Sequence, residues 1–197
     1  MQYNTGMDNR KKTNTVKVGD VNIGSDHPIV IQSMTSTPTS DVSKTLKQII
    51  ELSEAGSEIV RITINDQIAA NAAVEIKNKL VQQGYNIPLV GDFHYNGHTL
   101  LRNNLETATI LDKYRINPGN IGSSSKYDSN FESIINIAID NDKPVRIGAN
   151  WGSINKNVLN ELIIDKENNK SSISYSDLIK NALIKSVLDS AKKAQQL

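Results

Sequence analysis

The sequence predicts an α/β fold: a (β/α)8-type barrel of which the chain supplies five βα units after a short β-hairpin. Short β-branched runs alternate with helical segments and recur about every 30 residues, which is typical of a parallel sheet covered by helices. The turn after the first predicted strand, residues 32–38, holds no glycine, whereas an open nucleotide-binding sheet usually has a Gly-rich turn there. A complete barrel needs roughly 250 residues, so three units are missing from these 197 residues.

The chain begins with a polar stretch, and we expect residues 1–14 to be a flexible tail ahead of a barrel portion at 15–197. A hairpin follows, because four apolar residues alternate with polar ones around Gly19, which suits the turn. These four are Val16, Val18, Val21 and Ile23. Such a hairpin fits as a plug at the bottom of a barrel.

Five βα units follow in order. Apolar, β-branched runs predict strands at 29–31, 59–62, 88–94, 114–116 and 144–147. Apolar residues at helical spacing predict helices at 41–55, 67–83, 99–111, 130–140 and 175–194. Asp66 is placed to cap the second helix, and Gly56 and Gly84 lie where the first two helices end. The stretch 155–172 is polar and rich in Asn, Lys and Ser, and it carries no predicted element.

The composition excludes several classes of protein. The 22 basic and 21 acidic residues give a net charge of +1, which gives no reason to expect a nucleic-acid or membrane partner. The absence of cysteine excludes disulfides, thiol catalysis and a Cys-ligated metal or iron–sulfur cluster on this chain. No apolar run approaches the roughly 20 residues of a membrane span, and residues 1–12 lack the apolar core of a signal peptide. We therefore expect a cytoplasmic protein.

Three of the five arginines recur at matching positions in predicted strands: Arg61, Arg115 and Arg146. In a barrel the functional groups lie at the carboxyl ends of the strands. Guanidinium groups gathered there need an anionic partner, and arginine binds phosphate through two parallel hydrogen bonds. Asp92 can neutralise one of the three at most. The pattern favours a small ligand with two phosphates over the alternative that each arginine pairs with an acidic residue at the barrel rim.

Other polar residues and glycines lie at the same strand ends. The polar ones are Gln32, Ser33, Thr35, Thr63, Asp92, His94, Asn117, Asn120, Asn150 and Ser153. Gly119, Gly122 and Gly152 would let backbone N–H groups approach phosphate oxygens closely.

A metal site is the alternative interpretation of Asp92, His94 and His98, since two histidines and a carboxylate form a known facial site. Asn96 and Gly97 stand between the histidines and interrupt the helix that would bring them together. A histidine at a strand end more often donates a hydrogen bond to a ligand or a carboxylate. A metal-dependent barrel hydrolase stays open, although its usual His-x-His is missing from the first strand.

Four stretches closely resemble the N-terminal barrel of the 4-hydroxy-3-methylbut-2-enyl diphosphate synthase family. They are Gln-Ser-Met-Thr at 32–35, Asp-Phe-His at 92–94, Arg-Ile-Asn-Pro-Gly-Asn-Ile-Gly at 115–122 and Arg-Ile-Gly-Ala-Asn-Trp-Gly-Ser at 146–153. The third stretch is highly specific, and the resemblance runs from about residue 10 to residue 197.

This resemblance implies an oxidoreductase of isoprenoid biosynthesis, in the methylerythritol phosphate pathway of the bacterial cytoplasm. Such an enzyme reductively opens 2-C-methyl-D-erythritol 2,4-cyclodiphosphate with electrons from flavodoxin or ferredoxin. A C-terminal domain holds a [4Fe-4S] cluster through three Cys and one Glu, and in the homodimer each cluster caps the partner's barrel. Residues of the family's substrate pocket match Arg61, Asp92, His94, Arg115, Asn117, Arg146 and Asn150, of which the three arginines match its diphosphate ligands.

The sequence departs from that family in what it lacks. It has no cysteine, no sixth strand with the expected pocket lysine and no cluster domain. We expect a partial sequence, one half of a split reading frame, or a remnant that binds a phosphorylated metabolite or nothing. On any of these interpretations, the chain alone is expected to be inactive in reduction.

Overall fold

Five parallel strands and the helices that cover them make up most of the chain. The computed structural model describes residues 10–117, 119, 121, 127–169 and 172–197. The strands are β1 (Val16–Val18), β2 (Val21–Ile23), β3 (Gln32–Met34), β4 (Ile59–Ile64), β5 (Leu89–Phe93), β6 (Lys113–Ile116) and β7 (Val145–Ile147). The helices are α1 (Val42–Glu54), α2 (Gln67–Gln82), α3 (Gly97–Asn103), α4 (Leu105–Ile110), α5 (Tyr127–Asp140), α6 (Lys156–Asn168) and α7 (Tyr175–Gln196).

The sheet follows the order of the chain. β1 and β2 form an antiparallel hairpin, and β3 to β7 form a parallel sheet in which each strand pairs with the next one. Parallel neighbours need a crossover between them, and helices provide it here. This arrangement confirms the predicted α/β fold class with five βα units behind a hairpin.

One face of the sheet, which we call the outer face, packs against the helices. Its side chains alternate with those of the opposite face, as the pleat of a strand requires. The fully or almost fully buried strand residues of this core are Val60, Ile62, Ile64, Leu89, Phe93, Tyr114 and Ile116. The rings of Phe93 and Tyr114 meet edge to face with centroids 5.7 Å apart, and the Tyr114 hydroxyl donates to the Ala108 carbonyl at 2.6 Å.

The hairpin packs on the opposite, inner face, near the amino ends of the strands. Val18 forms a small second cluster with Ile59 and Val90. The turn lies so close to β5 that a Cβ on Gly19, whose φ is +57°, would come within 2.9 Å of the Pro88 ring. This is the place that the sequence predicted for a plug at the bottom of the sheet.

Residues 10–14 lie along the segment that follows the hairpin. The Arg10 guanidinium donates to the His27 carbonyl at 2.7 Å, and the Thr13 amide and the Ser25 hydroxyl lie 3.0 Å apart. The boundary of the tail at residue 14 stays a prediction, and residues 1–9 lie outside the described part of the chain.

The first predicted strand of the sheet was placed too early. Residues 29–31 were expected to be a buried strand, but β3 begins at Gln32, and Ile29 and Ile31 are 72% and 57% exposed. β3 is the first strand of the sheet, so within the described ranges no further strand covers this side. Pairing begins where the Ile31 carbonyl accepts a hydrogen bond from the Glu58 amide at 2.8 Å.

Two helical regions also differ from expectation. The single helix predicted at 99–111 is divided into α3 and α4, because Asn104 leaves the helical conformation and its side chain donates to the Leu100 carbonyl at 2.8 Å. The polar stretch 155–172 contains α6, which starts where the Asn155 side chain accepts from the backbone amides of Asn157 and Val158. Val158 is the one buried residue of α6, all of which is described, so the apolar periodicity that reveals a helix is weak there.

The last helix extends as the sequence predicted and begins at a serine cap. The Ser174 hydroxyl accepts from the Asp177 amide at 3.1 Å. α7 is 22 residues long and carries several charged side chains. In the described ranges, neither α7 nor any other helix combines the length and the apolar character needed to cross a membrane.

Candidate anion-binding site

The register of the parallel strands brings charged residues of β4 to β7 together near their carboxyl ends. Asp92 pairs with Arg115, and Arg115 pairs with Arg146 on the next strand. Paired residues in a parallel ladder point to the same face, which here is the inner face. Arg61 lies on this face too, two residues before Thr63, the partner of Asp92. We call Arg61, Asp92, Arg115 and Arg146 the arginine row.

Asp92 connects two of the three guanidinium groups. Its side chain is nearly fully buried, with 2% of the residue exposed. Oδ1 accepts from Nη1 of Arg115 at 2.7 Å, and Oδ2 lies 3.4 Å from Nε of Arg61. A buried carboxylate is tolerated when it is paired in this way. The alternative, in which each arginine pairs with an acidic residue, is therefore realised for two arginines, which share one carboxylate.

Arg61 also contacts a sulfur atom. Its Nε and Nη2 lie 3.3 and 2.8 Å from Sδ of Met34, the residue that pairs with Arg61 on β3. A thioether is a weak acceptor without charge and does not neutralise the cation. Burial lowers the pKa of the Arg61 guanidinium, Asp92 opposes this shift, and the charges of Arg115 and Arg146 add to it.

Arg146 stands beside another cation without a carboxylate of its own. It pairs in register with Arg115, and no ion pair of Arg146 occurs within the described ranges. Like charges directly opposite each other destabilise a sheet. Lys113, two residues before Arg115, adds a further cation, whose pKa is lowered by burial and by the charge of Arg146. Positive charge therefore exceeds negative charge, which suits this face to an anion.

Two buried polar atoms next to the row have no hydrogen-bond partner in the described chain. They are Nε of Arg115 and Oδ1 of Asn117, which follows β6 and is 3% exposed. Buried polar groups are nearly always hydrogen-bonded, so each exception needs a physical reason. A bound molecule at the row would supply the missing partners.

The two remaining residues that the family resemblance assigns to the substrate pocket, His94 and Asn150, lie farther along the strand ends. His94 follows β5 directly and is partly buried, and Asn150 is exposed just before a single 3-10 turn, Trp151–Ser153. Asn120, Gly122 and the side chain of Ser153 lie outside the described residues. That Gly119 and Gly152 admit a phosphate stays a prediction.

The metal interpretation of Asp92, His94 and His98 is not favoured. Both oxygens of Asp92 are engaged by arginines, and no three His, Asp or Glu side chains in the described ranges are grouped to hold a metal ion. His98 lies on α3 instead, where its Nδ1 is buried and has no hydrogen-bond partner among the described residues. Burial and the nearby charge of Arg102 lower the pKa of this imidazole.

Three residues of the site escaped the sequence analysis as functional groups: Met34, Lys113 and Gly148. The contact of Met34 with Arg61 depends on the register of β3 against β4, which the sequence does not specify. Lys113 lies two residues before Arg115 in the same strand, so the alternation of side chains places both on one face and could have identified Lys113. Gly148 lies so close to Asn117 that a Cβ there would be 2.8 Å from Oδ1 of Asn117, and this packing leaves no signal in the sequence.

The arginine row lies on an open face of the sheet. β3 and β7 each have one free edge in the described chain, so the sheet does not close into a barrel around the row. A concave region of about 590 Å³ lies at the other end of the molecule, between the hairpin and the start of β7, and is lined by residues such as Lys17 and Lys143. That region contains none of the predicted site residues.

A comparison with protein families agrees with this architecture. A family model described as the GcpE TIM-barrel domain matches residues 13–197. The match spans the hairpin, all five parallel strands and α7.

Proposed function

The chain belongs to the GcpE TIM-barrel family of isoprenoid-biosynthesis enzymes, and we propose that it supplies the diphosphate-binding part of that barrel. The proposed ligand is 2-C-methyl-D-erythritol 2,4-cyclodiphosphate, whose ring is opened reductively to 4-hydroxy-3-methylbut-2-enyl diphosphate. One observation carries the proposal: three guanidinium groups on one face share a single carboxylate.

The charges of the arginine row determine where the ligand binds. Asp92 holds Arg61 and Arg115 from one side, so their orientation is fixed before a ligand arrives. A guanidinium has five N–H donors, and the contacts with Asp92 leave several of them for phosphate oxygens. Arg146 makes no ion pair within the described ranges, which leaves its donors for the ligand there. A ligand with two phosphates would offset the excess positive charge that one carboxylate leaves.

The residues of this chain do not fit the [4Fe-4S] cluster that the family resemblance implies. Such clusters are held by cysteine thiolates, and the sequence has no cysteine. Nor does the described part of the chain group three potential metal ligands. The proposal therefore assigns the cluster and its reduction by flavodoxin or ferredoxin to residues outside this chain. The homodimer of the family stays a prediction.

The proposal is tested by titrating the chain with the cyclodiphosphate in a calorimeter. Replacing Arg61, Arg115 or Arg146 by Ala removes a charge-assisted contact, and the affinity should fall roughly ten- to hundredfold at each position. Lysine should restore it only in part, because an ammonium group cannot make the paired contact. The control is Arg102→Ala, since Arg102 lies on α3 and donates to Ser133 at 2.9 Å, away from the row.

Unchanged affinity at two of the three positions would contradict the assignment. An equal loss in the Arg102→Ala control would do the same, because the effect would then come from net charge alone. Equal affinity for inorganic pyrophosphate and for the cyclodiphosphate would indicate a general anion site.

A further inference from the structure

Gly148 follows β7 and lies against the two unpaired polar atoms beside the arginine row. A Cβ at this position would lie 2.8 Å from Oδ1 of Asn117, and 3.4 and 3.5 Å from Nε and Nη2 of Arg115. Contacts under 3.0 Å are essentially never made by real Cβ atoms. Any side chain at residue 148 must therefore displace the Asn117 amide, whereas its contacts with Arg115 would be ordinary ones.

A side chain at residue 148 would displace Asn117, a residue of the site, rather than the backbone at the end of β7. The Gly148 amide donates to the Ile116 carbonyl at 2.8 Å, which ties its backbone to β6. Asn117 is almost fully buried and has little space of its own. Gly148 is also absent from the glycines with left-handed φ, which in the described chain are Gly19, Gly56 and Gly84. Space, and not backbone conformation, is what requires glycine at 148.

We propose that Gly148 is a positioning residue of the anion site. Its missing side chain leaves the volume that the Asn117 amide occupies next to Arg115, and so sets where that amide stands relative to the central guanidinium of the row and to a bound phosphate. The ligand in this inference rests on the proposed function, whereas the positions of Arg115 and Asn117 do not.

Three variants and one control test whether a side chain at residue 148 acts through its clash with Asn117. Gly148→Ala introduces the clash, Asn117→Ala removes the atom that it meets, and the double variant combines the two. Val81→Ala is the control, because Val81 is 57% exposed on α2 and is not part of the anion site.

The surroundings of the Arg115 guanidinium, which include the Asn117 amide, can be followed without any ligand. The chain has five arginines, so the Nε–Hε region of a ¹H–¹⁵N spectrum holds few signals, and Arg115→Lys identifies that of Arg115. We expect Gly148→Ala to shift this signal and Val81→Ala to leave it in place. The double variant should return it to its position in Asn117→Ala. An unmoved Arg115 signal in Gly148→Ala would overturn the inference.

Binding of inorganic pyrophosphate then tests the consequence for the site. Gly148→Ala should weaken binding about tenfold or more, while its melting temperature without ligand stays near that of Val81→Ala. In the Asn117→Ala background, the same change should alter affinity by less than about twofold. Equal losses in both backgrounds would overturn the positioning role.

Two other results are also decisive. If Gly148→Ala fails to fold, a folded double variant supports the clash with Asn117, and an unfolded double variant overturns it. If the wild-type chain binds neither pyrophosphate nor the cyclodiphosphate, the proposed function fails, and the Arg115 signal alone decides the role of Gly148.

Discussion

The two faces of the parallel sheet are made by the same strands but differ in chemistry. On the outer face, Ile62, Phe93 and Tyr114 are buried in one continuous apolar core. One residue away on the same strands, Arg61, Asp92 and Arg115 occupy the inner face. The pleat sends neighbouring residues to opposite faces, so two adjacent positions can serve unrelated purposes.

This difference separates stability from binding. The outer face removes apolar surface from water, which is the main favourable contribution to folding. The inner face holds more cations than carboxylates, an arrangement that costs stability until an anion arrives. We therefore expect substitutions on the outer face to act on the free energy of unfolding, and substitutions on the inner face to act on affinity.

The largest effect is expected from Phe93→Ala on the outer face. Phe93 is almost fully buried and packs edge to face on Tyr114, so its removal should cost about 3–5 kcal/mol of the free energy of unfolding. Urea denaturation followed by circular dichroism measures it. An exposed aromatic, Tyr95→Ala, is the control, since Tyr95 is 66% exposed. Equal losses for both would remove the contrast between buried and exposed positions.

The second-largest effect is expected at Asp92, the inner-face residue that stabilises the fold by pairing with Arg61 and Arg115. Asp92→Asn leaves two guanidinium groups without their carboxylate, and we expect a loss of about 1–3 kcal/mol of the free energy of unfolding. Because the pair acts as a unit, the double variant with Arg115→Ala should lose less than the sum of the single losses. Strict additivity, measured by urea denaturation, would show that the contact of 2.7 Å contributes little.

Removal of the Arg146 side chain should affect stability and binding differently: it should not destabilise the ligand-free chain, but it should weaken anion binding. Arg146→Ala removes a cation that pairs in register with Arg115 and has no ion pair in the described ranges. We expect the ligand-free chain to keep its stability or gain up to about 1 kcal/mol, while pyrophosphate raises its melting temperature less than that of the wild type. A clear loss of stability without ligand would place Arg146 among the structural residues.

The smallest expected effect is a pH dependence that originates outside the row. The pKa of His98 is lowered in the folded chain, so between that value and the ordinary value near 6.5 the unfolded state holds a proton that the folded state does not. Stability should rise with pH through this window and fall again on acidification. His98→Gln should flatten this part of a stability–pH curve measured by urea denaturation. An unchanged curve would contradict the assignment.

Much of the difference between the apolar outer face and the charged inner face was predictable from the sequence. Alternation with a period of two assigns apolar and charged residues to opposite faces without any knowledge of contacts. The repeated place of Arg61, Arg115 and Arg146 in three strands predicted that they meet at one end of a sheet, and the pairing of β6 with β7 agrees. The hairpin was predictable for the same reason, because its alternation is regular.

Other features depend on packing that a single sequence does not reveal. Which arginines share Asp92 follows from strand register and side-chain length, and neither leaves a local signal. The exposure of Ile29 depends on what lies beyond the first strand of the sheet. Gly148 and Gly152 look alike in the sequence, yet only one of them is crowded by site atoms.

A crystal structure of the chain with 2-C-methyl-D-erythritol 2,4-cyclodiphosphate tests the central claim most directly. The claim is that the arginine row, and not the concave region at the other end of the sheet, receives the phosphates. We predict phosphate oxygens within about 3 Å of guanidinium nitrogens of Arg61, Arg115 and Arg146, with Asp92 still bound to the first two. A ligand bound elsewhere, or a complex in which Arg146 pairs with a carboxylate of the protein instead of a phosphate, would contradict the account.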